Sequence, residues 1–233
     1  MSAGSLSVFV GGCGLSQLQT ARTVPPGAWR TTIGAGFAYN RLIKERENLV
    51  LPVSNVPVEI AVRHGINDQV DVGLRTFMGL GALADAKWNL LPVDGRAALA
   101  VASGGGVAAD PGGTERLAWI AHIPISVIAS TELTRLITPY AAIGYRSFWI
   151  FNYGPPPEPG SRYAARSWTG DGVVLAQFGV ELSTPGGRAF LLEYGYERPV
   201  VDDPGDSFSF VPTHLFSVGF RMRSAPGGQA SRH

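Results

Sequence analysis

The sequence predicts an all-β protein: a closed, antiparallel, up-and-down transmembrane β-barrel of ten strands, with eight strands as the alternative. Apolar residues alternate with period two in segment after segment. Turn-forming connectors are alternately short and long. The two faces that the alternation defines also differ as a bilayer wall requires, one apolar with aromatics toward the strand ends, the other mixing glycine with balanced charge. Composition agrees: 45% hydrophobic against 16% charged residues excludes a disordered polyampholyte and a charge-rich coiled coil. No apolar run reaches the length of a membrane-spanning helix.

The first segment, 28–39, sets Ile33, Ala35, Phe37 and Tyr39 against Thr32, Gly34, Gly36 and Ala38. Segments 57–65 and 70–78 follow, with Val58, Ile60, Val62, Val70, Val72 and Leu74 opposite Glu59, Arg63, Asp71, Gly73 and Arg75. Segment 82–91 gathers Asp85, Lys87 and Asn89 on one face, and segments 96–105, 117–130 and 137–151 come next. Gln177, Gly179 and Glu181 share a face in 171–183, while 188–198 carries Phe190, Leu192, Tyr194 and Tyr196 on the other. The last segment, 210–223, sets Phe216, Val218, Phe220 and Met222 against Ser217, Gly219 and Arg221. Short connectors lie at 66–69, 92–95, 131–136 and 184–187. Longer ones lie at 40–56, 104–116, 152–170 and 200–209, and Gly79 to Gly81 is a short member of that side. Gly104-Gly105-Gly106 reads as a strand end. Without a turn at Gly79 to Gly81, or without 96–105 as a strand, the count falls to eight.

Sidedness follows from what each face carries. The polar face holds Glu59, Arg63, Asp71, Arg75, Asp85, Lys87, Arg146, Glu181, Glu193, Glu197 and Arg221 among small residues, which is what the crowded inside of a narrow barrel needs. The apolar face ends in two aromatic belts: Tyr39, Phe77, Trp119, Trp149, Phe151, Tyr194 and Tyr196 beside the long connectors, and Trp29, Trp88, Phe190 and Phe220 nearer the short turns. The alternative is a soluble, lipocalin-like periplasmic barrel that turns its apolar face inward around an apolar ligand.

On these features, over residues 28–223, the chain resembles the small outer-membrane β-barrels of Gram-negative bacteria. Its last strand, ending Phe220-Arg221-Met222, resembles the aromatic C-terminal strand that the family's assembly machinery recognises, although a tail, 224–233, follows. The resemblance implies an outer-membrane location, long loops outside and both termini periplasmic, with membrane lipids and the assembly machinery as partners and a monomer as the state. Leu6 to Gly12 followed by Cys13 resembles the end of a bacterial lipoprotein signal. It implies a short or truncated signal over 1–12, acylation of Cys13 and a periplasmic tether over 13–27.

The chemistry of catalysis is not apparent. Asp202, Asp203 and Asp206 precede His214, but His214 shares the parity of Phe216, and the acids read as solvated loop residues. No nucleophile elbow, phosphate loop or metal-ligand cluster is visible, no cofactor is implied, and a single cysteine excludes a disulfide scaffold. Nineteen basic against eighteen acidic residues leave no footprint for nucleic acid. The expectation is a non-enzymatic barrel with a structural, surface-binding or narrow-channel role. In the channel alternative, the internal charges line a path for small solutes.

Overall fold

The computed structural model describes residues 18–40, 58–77, 81–92, 95–110, 117–153, 168–200 and 213–224. Ten strands form: β1 (Trp29–Asn40), β2 (Val58–Gly65), β3 (Val70–Phe77), β4 (Gly81–Asn89), β5 (Ala97–Asp110), β6 (Leu117–Thr131), β7 (Ile137–Tyr153), β8 (Trp168–Ser183), β9 (Ala189–Pro199) and β10 (Thr213–Ser224). Each pairs antiparallel with its neighbours in sequence, and β1 pairs with β10, so the sheet closes on itself. Closure leaves no unpaired edge, the condition for a sheet to cross lipid.

Local chemistry fixes the turns. Asn67 Oδ1 accepts from the main-chain N–H of Gln69 and Val70 at 2.8 Å each, an Asx turn that folds β2 onto β3. Thr134 Oγ1 does the same for Leu136 and Ile137 between β6 and β7. Between β8 and β9, Gly187 takes a positive φ of 75° that favours glycine. Phe77 pairs with Gly81, so the connection there is short and the ten-strand count holds.

The strands are strongly staggered. Paired residues run Asn40, Thr213, Glu197, Leu175, Gly144, Ser126, Ala102, Lys87, Asp71, Gly65 around the barrel. From Gly65 the path returns to Ala28, through the hydrogen bond from Gly65 N to Ala28 O. The offset from Ala28 to Asn40 corresponds to a strand tilt of roughly 40°. Strand lengths also vary around the wall: β2 and β3 have 8 residues each, and β7 has 17.

Two expectations about elements are corrected. Gly104-Gly105-Gly106 does not end a strand: β5 runs on to Asp110, pairing Ala109 with Trp119. The reason is tertiary, since a Cβ on Gly106 would lie 2.7 Å from His122 Nε2, and the missing side chain makes room for that ring inside the barrel. Phe77 belongs to no outer belt. It shares the parity of Asp71 and Arg75, is buried, and packs against Leu83 inside.

Side-chain exposure settles which face is inside. Leu74, Ile143 and Phe178 are 54%, 60% and 59% exposed, whereas Lys87 and Asp71 are fully buried. An apolar outer wall around a charged interior is the sidedness of a bilayer-spanning barrel, and the reverse of what the lipocalin-like alternative requires.

Candidate functional site in the barrel lumen

The eleven charges expected on the inner face all point into the lumen, where ten are buried and Asp85 is nearly so. Toward the short turns, Arg63 Nε donates to Asp71 Oδ1 at 2.8 Å and Arg63 Nη1 to Asp85 Oδ1 at 2.6 Å. Asp85 lies two strands away, and Arg63 reaches it over Gly73, where a Cβ would stand 2.7 Å from both Arg63 Nη1 and Asp85 Oδ1. Lys87 Nζ completes the group 3.4 Å from Asp71 Oδ2. Across the lumen Arg221 makes two hydrogen bonds to the carboxylate of Glu181, with β9 between them.

The same reach over glycine recurs at mid-height. The Tyr140 hydroxyl on β7 donates to Glu193 Oε2 on β9 at 3.0 Å, passing Gly179 of β8. A Cβ on Gly179 would lie 2.5 Å from Tyr140 Cζ. Gly73 and Gly179 thus each serve a long side chain that crosses a strand to meet a partner.

Nearer the long connectors the ion pairs run from wall to wall. Arg146 Nη2 donates to Glu197 Oε2 at 3.1 Å, and Arg75 Nη1 stands 3.9 Å from Glu59 Oε2. His122 is buried beside them, with no hydrogen-bond partner for Nδ1 among the described residues. Ile120, Phe148, Val173 and Leu175 form an apolar cluster on the same inner wall.

The feature that sequence reasoning missed is a segment of chain inside the lumen. Residues 18–27, expected as part of a periplasmic tether, do not hang free: Leu18, Gln19, Thr20, Ala21, Thr23 and Val24 are buried among inward-facing wall residues. The wall grips the main chain of this segment. Leu18 N donates to Glu193 Oε2 (2.8 Å), Ala21 N to Ser130 Oγ (3.2 Å) and Val24 N to Asp71 Oδ2 (2.8 Å). Lys87 Nζ donates to the carbonyls of Thr20 and Arg22 at 3.0 and 2.8 Å. These are charge-assisted bonds for the most part, each worth roughly 1.5–3 kcal/mol net.

Packing and the rim hold the segment too. Ala21 lies in a cluster with Ala98, Ala100, Ala102, Ile128 and Ala142, and Leu18 packs with Tyr140 and Leu191. Leu18 Cδ1 occupies the space that a Cβ on Gly34 would need. At the short-turn rim, Arg22 Nη2 donates to Gly95 O at 2.6 Å and pairs with Glu132 at 3.1 Å, and Thr23 Oγ1 donates to Asp68 O at 2.6 Å. The segment then leaves along β2, bridging Pro26 to Gly65, and enters β1. It therefore occupies the lumen from the short-turn rim to about mid-height.

On the outer face, Trp29, Trp88, Trp119 and Phe190 are exposed, and Trp149, Tyr194, Tyr196 and Phe220 half-buried. The side chains of Tyr39 and Phe151 lie outside the described residues. Phe37 and Phe216, stacked at 4.9 Å, with Phe178 and Tyr145, add exposed aromatics that the belt assignment left out. His214 lies on this face, with a 2.6 Å hydrogen bond between its Nδ1 and the Tyr194 hydroxyl. Cys13, residues 1–12, Asp202, Asp203, Asp206 and the tail beyond Ser224 lie outside the described residues. Among the described residues, no group of three or more His, Cys, Asp or Glu is placed to hold a metal ion.

No protein-family model matches the chain, and no curated protein matches it. Solved structures similar to it are barrels. The outer membrane protease OmpT from Escherichia coli has 9% identity and a TM-score of 0.47, over 88% of this chain and 100% of that one. An outer membrane channel from Pseudomonas putida has 8% identity and a TM-score of 0.44, over 88% and 98%. Neisserial surface protein A has 11% identity and a TM-score of 0.42, over 86% and 99%. At such identities and scores the likeness carries no activity across to this chain.

Proposed function

We propose that this is an outer-membrane β-barrel closed at rest by its own N-terminal segment, with a structural or surface-binding role exercised through its long connectors. The observation that carries this reading is the seat of residues 18–28 in the lower lumen, where four wall side chains bind five main-chain groups. Polypeptide held in the lumen takes up the cross-section through which an open barrel would conduct. The outer-membrane setting is supported by the exposed apolar band and by a closed sheet that needs no water to satisfy its backbone. Acylation of Cys13 remains part of the proposal as a second attachment to the membrane.

Planar-bilayer recording of the purified chain tests the closed state: no steady conductance is expected. A stable open level in the native protein would contradict it and favour the narrow-pore reading, for which the charged lower lumen provides the lining. Fractionation tests the location, since a chain that stays soluble without detergent is not a membrane barrel.

A further inference from the structure

We propose that residues 18–28 form a displaceable plug, so that the barrel becomes a channel for small hydrophilic solutes when the segment leaves the lumen. This rests on the closed-barrel reading and adds a second state to it. The first support is that most of the wall's charges in the lower lumen are paired before the segment is counted: Arg63 with Asp71 and Asp85, Lys87 with Asp71, Arg221 with Glu181. Without the segment Glu193 keeps Tyr140 and Gln177, while Arg30 gives up its bond to Arg22 O. Withdrawal of the segment strands none of the paired charges.

The second support is the chemistry of the segment's surface. Its hydrogen bonds to Glu193, Ser130, Asp71 and Lys87 are made through main-chain N–H and C=O groups, Thr23 Oγ1 donates to Asp68 O, and Leu18, Ala21 and Val24 are buried beside them. Water offers each of those hydrogen-bonding groups a replacement partner, while the charge-assisted bonds and the buried Leu18, Ala21 and Val24 hold the segment at rest, so withdrawal is infrequent until that grip is weakened. Behind the segment the β5 wall is Ala98, Ala100 and Ala102, whose short side chains leave width where the segment lay. The emptied lower lumen, lined by paired charges and alanine, suits water and small polar solutes.

Single-channel recording of the full chain tests this. Lys87→Met with Glu193→Gln weakens the grip while Arg63 stays on Asp71, and it should show discrete openings at least about tenfold more often than the native protein, as the loss of charge-assisted contacts implies. In that background, Ala21→Cys with Ala100→Cys, bridged by a short thiol cross-linker with Cys13→Ser, should abolish the openings. A grip variant as silent as the native chain, or openings that survive bridging, overturns the proposal and leaves the closed barrel standing. Steady native conductance that ignores bridging overturns both readings. Should the grip variant not fold, Ala21→Asp alters the segment alone and should open the channel in the same way; its silence overturns the proposal equally.

Discussion

The two halves of the lumen use the same side-chain types and satisfy them differently. Toward the short turns, Asp71 accepts from Arg63 and from Val24 N, and Lys87 donates to two carbonyls of the internal segment, so the polypeptide itself supplies partners for the wall. Toward the long connectors, Arg146 meets Glu197 and Arg75 stands 3.9 Å from Glu59, wall to wall, beside an apolar cluster. The difference shows that one inner surface holds two kinds of charge: some fixed by a network that includes the main chain of the internal segment, others paired from wall to wall. Buried charge is costly unless partnered, so the two kinds respond unequally to mutation.

The largest expected effect is in the lower half. Asp71→Leu removes the shared acceptor of Arg63, Lys87 and Val24 N, and should lower stability by about 3–5 kcal/mol, read as urea unfolding in lipid vesicles. A loss below about 1 kcal/mol would erase the distinction between the halves. Next comes Gly179→Ala, which places a methyl against the Tyr140 ring; overpacking should cost about 1–3 kcal/mol and break the hydrogen bond to Glu193. Retention of the Tyr140 contact at native stability would mean that the glycine is incidental. Glu193→Ala should cost about 1–3 kcal/mol and speed amide exchange at Leu18 selectively, while leaving the strands protected. In the upper half, Glu59→Gln removes a buried acid facing Arg75 and should cost about 1–3 kcal/mol, less than Asp71→Leu. If it rivals Asp71→Leu, the upper charges are networked as tightly as the lower ones.

The alternation of Val58 to Arg63 and of Val70 to Arg75 made the wall, its sidedness and its inner charges legible, because period two fixes the face of every residue once one face is assigned. Phe77 was misassigned for the same reason: its parity with Asp71 and Arg75 places it inside, and proximity to a long connector suggested a belt instead. Contacts that skip a strand, such as Arg63 to Asp85 over Gly73, depend on tilt and on space above a glycine, and alternation encodes neither. The internal segment was harder still, since residues 18–28 show no strand periodicity. Its trace is compositional: one charged residue, Arg22, among Gln, Thr, Ala and Val is a poor makeup for a solvated tether. Only the closed wall, with acceptors and donors facing inward at Glu193, Ser130, Asp71 and Lys87, gives that composition a place.

The central claim is that residues 18–28 lie within the barrel at rest. Hydrogen exchange of the folded chain in lipid nanodiscs, followed by mass spectrometry, measures it directly. Peptides covering 18–28 should exchange nearly as slowly as those from β9 and β10, because the amides of Leu18, Ala21 and Val24 are bonded to buried wall side chains. Exchange of that segment within seconds, at the rate of the exposed turn 184–188, would contradict the account.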